Sequence, residues 1–408
     1  MRNKILSIYV PVILVIGLVF GGYGKPALAK SAKENIKIGA ATALSGLHAA
    51  ASGSELKAQQ LWVEQVNSEG GLYVKEYGKK LPIEFRYFDN KSSVGETIKI
   101  YEKLITVDKV DLCLPPSTTG HCVAIIPTME KHKFPWVACT SGGKAFVETK
   151  GLKYSWDLDF LSYDTAAAVV ELLSAHKDKI KTVAVLYEHE MFMVENDQTF
   201  MSLAKKAGFD IVLNKDYPAG VKDLSGVLLD IKAKNPDALV AFCYPGGSFL
   251  MLKQAMEIGL NPKLWYGGIG PGISAFPRIV GKPATEGICL QGTWSYKLGY
   301  PGAKGFYDSY LKKWEMPPDN LNSALGMQGC QILEQAIEKA GTLNREKLRD
   351  VIATEEFMTV DGPVKFAGER TNTLARHGMC QWQNGVIEVV WPSDVATAPL
   401  EIPKPSWP

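Results

Sequence analysis

The sequence lacks the patterns that usually mark an enzyme, a metal site or a nucleic-acid-binding protein. It contains no Gly-x-Ser-x-Gly, His-Glu-x-x-His or Gly-Lys-Ser/Thr nucleotide-loop segment, although these are typical of acyl hydrolases, zinc proteases and nucleotide hydrolases. The six histidines show no metal-ligand spacing, and no basic run stands out among 45 basic and 43 acidic residues. We therefore predict a protein that is not an enzyme, needs no cofactor or metal, and does not bind nucleic acid.

Long apolar runs are also scarce, and the one that exists lies at the start of the chain. Residues 5–20 are almost wholly apolar, follow Arg2 and Lys4, and precede the small-residue triplet at 27–29. This order is typical of a secretory signal peptide, so we predict cleavage after Ala29 and export to a Gram-negative periplasm. The segment has no cysteine for lipid attachment. An uncleaved membrane anchor is the alternative.

Cysteine is sparse and scattered, with no Cys-x-x-Cys pair. Most of the seven have apolar neighbours, which favours buried thiols. Export also permits disulfides, and sequence alone does not determine their pairing. Cys113 and Cys139 lie on successive predicted strands and are the pair to test first. The cysteines are Cys113, Cys122, Cys139, Cys243, Cys289, Cys330 and Cys380.

Short apolar segments alternate with amphipathic stretches along most of the chain, which predicts an α/β fold with parallel sheets flanked by helices. Predicted strands are 36–40, 81–88, 110–114, 134–138, 182–186, 209–213, 238–242 and 263–266, with short strands within 363–391. Predicted helices are 54–67, 94–107, 120–132, 165–174, 197–207, 224–234, 249–258, 322–340 and 344–353. The last dozen residues are rich in proline, so we expect them to be extended or loose.

Three loops rich in small and hydroxyl residues follow predicted strands of the first half, at 41–46, 115–120 and 138–143. Ligands of open parallel sheets bind beyond the carboxyl ends of the strands. Such loops present backbone N–H groups and short hydroxyls to a compact polar ligand. The alternative is that these serines and threonines only cap helices.

The corresponding loops of the second half, at 187–193, 243–248 and 267–272, are instead rich in aromatic residues and glycine. This composition suits a lid that packs on the apolar part of a ligand. For Phe192 or Tyr244 alone, ordinary core packing is the alternative. We interpret Glu188-His189-Glu190 as a solvated turn rather than a metal site.

Several segments resemble the periplasmic branched-chain amino-acid-binding proteins of ABC transporters, which have the type I solute-binding fold. The resemblance extends from about 36 to 391. It is carried, in the family's order, by 36–39 with 44–46, 66–72, 88–105, 254–260 and 361–366. It implies two hinge-linked lobes, each a parallel sheet flanked by helices, that close on a small-molecule solute. A membrane permease of an ABC importer is the implied protein partner, and we expect a monomer.

The resemblance also implies a division of the chain into discontinuous lobes. Lobe 1 is predicted to comprise 30–157 plus about 286–360. Lobe 2 is predicted to comprise 158–285 plus about 361–396, with 397–408 as a tail and 1–29 as the signal peptide.

The family's ligand-binding positions carry over one by one. The key serine of the first loop resembles Thr119, beside Ser117 and Thr118, and the second loop resembles 138–142. Gly142 stands where the family has a threonine, and Phe192 where it has a tyrosine. The remaining implied or candidate site residues are Ala138, Thr140, Ser141, Asp159, Tyr244, His48 and Trp156.

One departure bears on the solute. Amino-acid binders place a carboxylate after the 263–266 strand to pair with the ligand's ammonium, whereas this chain has Ile269. A buried ammonium without a partner costs several kcal/mol, so the ligand either lacks an ammonium or uses Asp159. The sequence leaves open an aliphatic or branched-chain amino acid, an aromatic or aliphatic carboxylate, and an amide-type solute. A ligand-sensing receptor domain is the alternative class of function.

Overall fold

The computed structural model describes residues 33–158, 161–292 and 294–407. The predicted signal peptide and the candidate Asp159 lie outside these residues. Among the described residues, none belongs to a helix that is both long and apolar enough to cross a bilayer.

The first half of the described chain builds a small parallel sheet with helices between its strands. Strands β4, β1 and β5 pair in parallel in that order, and β6 pairs in parallel with β7. The central strand β1 is buried along almost its whole length, as expected for a strand covered on both faces. The elements are β1 (Ile36–Thr42), α1 (Ala49–Ser68), β2 (Leu72–Val74), β3 (Lys79–Leu81), β4 (Ile83–Asp89), α2 (Val94–Thr106), β5 (Leu112–Cys113), α3 (Thr119–Lys131), β6 (Trp136–Ala138), α4 (Ala145–Glu148) and β7 (Ser155–Asp157).

The second half builds a larger sheet with the strand order β16-β15-β12-β11-β10-β8-β9. Its strands β12, β11, β10, β8 and β9 are parallel, and β15 and β16 add an antiparallel edge. The first elements of this half are α5 (Ser162–Ser174), β8 (Thr182–Glu188), α6 (Met191–Lys206), β9 (Asp210–Tyr217), α7 (Ser225–Lys234), β10 (Ala238–Phe242), α8 (Pro245–Ile258), β11 (Leu264–Tyr266), α9 (Phe276–Val280), α10 (Lys282–Thr285) and β12 (Ile288–Gln291).

After β12 the chain returns to the first half of the molecule and then crosses back. The Trp62 indole of α1 donates a hydrogen bond to Glu334 of α12 (2.7 Å), which fixes α12 against α1. Strands β15 and β16 then complete the second sheet. The elements of this last part are α11 (Ala303–Trp314), α12 (Asn322–Ala340), α13 (Arg345–Thr354), β13 (Glu356–Thr359), β14 (Gly362–Lys365), β15 (Met379–Gln383) and β16 (Val386–Trp391).

The strand pairing indicates that the chain passes from one lobe to the other at positions slightly different from the predicted lobe boundaries. Strand β12 (Ile288–Gln291) belongs to the second sheet, so that crossing follows residue 291 rather than about 286. A boundary at 360/361 would cut the β13–β14 hairpin, in which Thr359 pairs with Gly362. The pairing therefore favours crossings within 292–302 and 366–378.

Helix starts are where the observed elements depart most from the predicted ones. Helix α6 begins at Met191 rather than 197, and α8 begins at Pro245 rather than 249. Proline is favoured in the first helical turn because its missing N–H would have no partner there. The aromatic and glycine-rich loops of the second half therefore contain the first turns of helices that face the first lobe.

The cysteines are buried, and the C-terminal tail is packed against the second lobe. All seven cysteines lie among the described residues as buried thiols, as predicted, and no disulfide joins Cys113 to Cys139. The tail is held against the second sheet rather than loose. The Lys404 amide donates to the carbonyl of Lys263 (2.8 Å), and the Trp407 indole donates to the carbonyl of Leu260 (2.7 Å).

Candidate functional site

A small cavity lies where loops of the two lobes meet. Its volume is about 10 Å³, roughly the space of one water molecule. Seven of the residues predicted from the sequence share this lining, although they come from five separate loops or helix starts. The lining residues are Ala51, Ser117, Thr118, Thr119, Thr140, Phe192, Tyr244, Ile269, Leu321 and Asn322.

The other predicted residues lie near this cavity or away from it. Ala138 ends strand β6, and Ser141 and Gly142 follow in the same loop; none of the three is among the lining residues. Trp156 is fully buried and packs against Phe366, with ring centroids 5.9 Å apart, so it belongs to the core between the lobes. Asp159 lies outside the described residues.

The backbone at Thr118 adopts a conformation that threonine rarely takes. Strand β5 ends at Cys113, and helix α3 begins at Thr119. Between them Thr118 has φ 72° and ψ 146°, which costs a β-branched residue of order 1–3 kcal/mol and is typical of functional sites. Its amide donates to the Thr140 hydroxyl (3.4 Å), which links the two hydroxyl-rich loops.

Beneath these loops lies a buried carboxylate that the sequence analysis missed. Glu55 of α1 is 1% exposed, and its Oε2 accepts hydrogen bonds from Ser117 Oγ (2.5 Å) and Thr140 Oγ1 (2.9 Å). The Gln59 amide donates to the other oxygen (3.2 Å). Burial raises the pKa of Glu55 to about 7, although the two hydroxyl hydrogen bonds oppose this rise. The available signal was that Glu55 and Gln59 lie four residues apart on the apolar face of α1.

Thr119 and the second loop are locked together by backbone contacts. The Gly142 amide donates to Thr119 Oγ1 (3.1 Å), so this N–H is already used within the protein. A Cβ on Gly143 would lie 2.7 Å from Thr119 Cγ2, so the close approach of the two loops requires glycine there. The Ser141 hydroxyl is buried and has no hydrogen-bond partner among the described residues.

Two histidines meet edge-to-face beside the site. The His48 ring lies 5.1 Å from the Tyr244 ring of the other lobe and 5.5 Å from the His121 ring. His121 Nδ1 is within 2.7 Å of the Thr97 hydroxyl. Burial, and secondarily His48, lowers the pKa of His121 to about 4, and burial also lowers the pKa of His48. Both rings are therefore neutral at pH 7, and His48 is the one that contacts the second lobe.

The second lobe has its own buried carboxylate, which corrects the prediction of a solvated turn at 188–190. Glu188 is the last residue of β8, is fully buried, and accepts a hydrogen bond from the Tyr244 amide at Oε2 (2.9 Å). Burial raises the pKa of Glu188 to about 7. Only His189 of the triplet is exposed, and it pairs with Asp216 (2.8 Å). The strand runs longer than predicted because β9 pairs with it as far as Tyr217.

The cavity lining itself carries no charged side chain among the described residues. Ile269 follows β11 and is 9% exposed, so an apolar group occupies the position where the resemblance implies a carboxylate. The two acids lie one layer behind, bonded to Ser117 and Thr140 in one lobe and to Tyr244 in the other. The site is thus apolar on one side and rich in hydroxyls on the other.

Two α/β lobes whose loops converge on one small, uncharged cavity define a two-lobed solute-binding protein. Residues 35–384 match the sequence model described as periplasmic binding protein. The chain belongs to the periplasmic binding protein family, which confirms the family inferred from sequence.

Curated relatives cover nearly the whole chain. A Leu/Ile/Val-binding protein homolog 7 of Brucella melitensis is 24% identical over 396 residues, which span 92% of this chain and 96% of the relative. A Leu/Ile/Val-binding protein homolog 8 of Brucella abortus is 25% identical over 410 residues, spanning 96% of this chain and 99% of the relative.

Solved structures have the same architecture. The branched-chain amino acid transporter substrate binding protein LivJ of Streptococcus pneumoniae, in complex with isoleucine, has a TM-score of 0.77 at 24% identity, covering 91% of this chain and 100% of that one. A solute-binding protein of R. palustris in complex with benzoate has a TM-score of 0.76 at 18% identity, covering 91% and 97%. At these identities the likeness confirms the predicted two-lobed type I fold.

Proposed function

We propose that this protein is the solute-binding component of an ABC importer, which captures a small organic solute between its lobes and presents it to a membrane permease. The observation that carries the proposal is the cavity lined by loops of both lobes. The family's name and its relatives support a location in the periplasm, reached by export through residues 1–29.

The size of the cavity supports a mechanism of opening and closing. About 10 Å³ holds roughly one water molecule, so a solute enters only when the lobes move apart. It then docks on the hydroxyl-rich loops of the first lobe. Hinge closure brings Phe192 and Tyr244 over it and excludes water, which strengthens the polar contacts.

A branched-chain or aliphatic amino acid, or a related carboxylate, is the solute class we propose first. The Thr119 hydroxyl and the backbone N–H groups at the start of helix α3 offer hydrogen-bond donors to a carboxylate. Phe192, Ile269 and Leu321 offer apolar surface to an aliphatic chain. That LivJ of Streptococcus pneumoniae is solved with isoleucine supports this class.

An aromatic carboxylate or an amide is the second candidate. Ile269 leaves no carboxylate in the lining to pair with an ammonium, and the rings of His48 and Tyr244 meet at the cavity's edge. The R. palustris protein with a similar fold is solved with benzoate. Ring contacts would then replace the carboxylate–ammonium pair of amino-acid binders as the main contact from the second lobe.

A thermal-shift screen of the protein from residue 30 tests the proposal. The panel contains L-leucine, L-isoleucine, 4-methylpentanoate, benzoate and benzamide, each in large excess. A solute present at about 1,000 times its Kd adds about 4 kcal/mol to stability, a rise of several degrees in Tm. Stabilisation by one chemical class supports the function and identifies the solute. If none of the panel raises Tm, both proposed solute classes are wrong.

A further inference from the structure

The hydroxyls of Ser117 and Thr140 both donate to Glu55 and have no hydrogen left to offer a solute. Above pH 7, where Glu55 is mainly ionised, its carboxylate only accepts hydrogen bonds, and each hydroxyl has a single hydrogen. Because Ser117 Oγ and Thr140 Oγ1 both lie within hydrogen-bond distance of Glu55 Oε2, both hydrogens point away from the cavity. Ser117 and Thr140 nevertheless line that cavity, so they present oxygen lone pairs to it.

We propose that Glu55 selects the solute by making Ser117 and Thr140 hydrogen-bond acceptors, so that the first lobe requires a solute with an N–H or O–H donor. This inference rests on the proposed solute-binding function. It makes Glu55 a specificity-determining residue that acts through two contact residues without touching the solute itself.

Packing holds Glu55 in this position. Gln59, one turn further along α1, donates to its second oxygen (3.2 Å). On the other side, helix α12 approaches so closely that a Cβ on Gly326 would lie 2.9 Å from Glu55 Cγ. The carboxylate therefore has no room to swing away from the two hydroxyls when a solute arrives.

The electrostatic surroundings of Glu55 favour the same solute group. Asp319, which is 1% exposed, also interacts with Glu55 as a like charge. No lysine or arginine is among the residues that line the cavity. A solute carboxylate placed on Ser117 and Thr140 would meet lone pairs and a buried negative charge, whereas an ammonium or amide N–H would be attracted.

Other hydroxyls in the same lobe keep their hydrogens. Thr119 Oγ1 accepts its hydrogen bond from the Gly142 amide (3.1 Å), and therefore its own hydrogen is free to be donated. The first lobe thus has an acceptor end at Ser117 and Thr140 and a donor end at Thr119. A solute with a carbonyl or carboxylate beside an N–H donor fits both ends, and a simple carboxylic acid fits only one.

Matched solute pairs test this inference by isothermal titration calorimetry near pH 8. L-Leucine carries an ammonium group that 4-methylpentanoate lacks. Benzamide carries an amide where benzoate carries a carboxylate. In the wild type, the donor-bearing member of the binding pair is expected to bind at least about tenfold more tightly, since a hydrogen bond involving a charged group is worth that much. Glu55→Gln is expected to reduce this ratio about tenfold, because the new amide donates to one hydroxyl and turns that hydroxyl's hydrogen toward the cavity.

Two further variants make the result specific. Glu64→Gln changes an exposed glutamate of the same helix, which pairs with Lys313, and is expected to leave the ratio unchanged. Ser117→Ala removes one acceptor. It is expected to weaken binding of the donor-bearing solute about tenfold and to have little effect on binding of its matched acid. This variant decides the question if Glu55→Gln does not fold.

The outcomes separate the two proposals. If the wild type binds a pair and neither Glu55→Gln nor Ser117→Ala changes its selectivity, the role of Glu55 is wrong and the solute-binding function stands. A wild type that prefers the acid of a pair also overturns the role of Glu55. If no member of either pair binds, the proposed solute classes fall, and the role of Glu55 falls with them.

Discussion

Two buried glutamates, Glu55 and Glu188, lie one layer behind the cavity, one in each lobe. Burial is the main cause that raises the pKa of each to about 7. Each also accepts a hydrogen bond from a residue that lines the cavity. A change in the protonation of either glutamate therefore changes the hydrogen bonding of that lining residue. An acid in this environment stabilises the fold less when it is ionised than when it is protonated.

The pH dependence of stability follows from that sign. In the unfolded chain Glu55 loses its proton near pH 4.5, but in the folded protein only near pH 7. Its contribution to stability is therefore full below pH 4.5 and lost as pH rises through 7. The rise in pKa corresponds to about 3 kcal/mol. We expect Glu55→Gln to gain up to about 3 kcal/mol relative to wild type between pH 4.5 and pH 8, measured by urea denaturation.

The control for this prediction is Glu64→Gln, whose side chain is exposed on the same helix. It is expected to follow the wild-type pH profile, because it keeps both buried acids, Glu55 and Glu188. Parallel profiles for wild type and Glu55→Gln would contradict the assignment of a neutral-range pKa to Glu55.

Thr119 is the residue at which we expect the largest loss of binding at the donor end. Thr119→Val removes the hydroxyl hydrogen and the acceptor of the Gly142 amide. Loss of a hydrogen bond to a charged group weakens binding about tenfold or more, and we expect this for any carboxylate-bearing solute in calorimetry. Thr149→Val, at an exposed site, is the matched control. Unchanged affinity in Thr119→Val would place the solute elsewhere.

At the scale of elements, the site depends on helices that pack unusually closely beneath it. Helix α12 returns from the second lobe to lie against α1, and its N-cap residue Leu321 and first residue Asn322 line the cavity. Gly326 permits this approach, since a Cβ there would lie 3.1 Å from the Glu55 carbonyl oxygen. The position of Glu55 and the end of the cavity are thus fixed by one helix pair.

Gly326→Ala is expected to destabilise the protein even though alanine is the better helix former. Overpacking against backbone and Glu55 costs about 1–3 kcal/mol, and the shift of α12 should also weaken solute binding. Gly305→Ala on helix α11 is the control, because a Cβ there meets nothing within 4 Å. It should be neutral or gain about 0.5–1 kcal/mol. Equal Tm values for both variants would show that the helices relax freely.

At the scale of the whole molecule, we expect hinge bending to be the mode of motion. Among the described residues, the strand pairing changes sheet after β7, β12 and β14, and the β4-β1-β5 sheet shares no strand with the larger one. Bending at a few crossing residues leaves both sheets intact while it separates the first-lobe hydroxyls from Phe192 and Tyr244. Opening breaks contacts between the lobes, such as the His48–Tyr244 ring contact and the hydrogen bond from the Lys144 amide to Glu195 (3.4 Å).

Solute should therefore compact the protein. We expect a smaller radius of gyration by small-angle X-ray scattering when a solute identified by thermal shift is added at saturation. Closure replaces an open population with a single closed one. The same solute added to Thr119→Val, at the concentration that saturates the wild type, should produce less compaction. No change in the wild type would argue against lobe closure.

The sequence by itself determined the class of fold and predicted the region of the candidate site. Apolar strands such as β10 alternate with amphipathic helices, and strands buried on both faces require helices on both sides of a parallel sheet. Since ligands bind beyond the carboxyl ends of such strands, the loops containing Thr119, Thr140 and Tyr244 could be identified without coordinates. The secretory start stays a prediction from local features: a charged end, an apolar run and small residues.

Only the tertiary structure decided which charges are buried and which elements meet. Glu55 and Glu188 look like ordinary surface acids in the sequence, and they are buried because α12 covers one and Tyr244 covers the other. Helix periodicity shows that a helix has an apolar face, but not which distant segment packs on it. The return of α12 to α1, and with it the acceptor character of Ser117 and Thr140, is a long-range contact that no local pattern encodes.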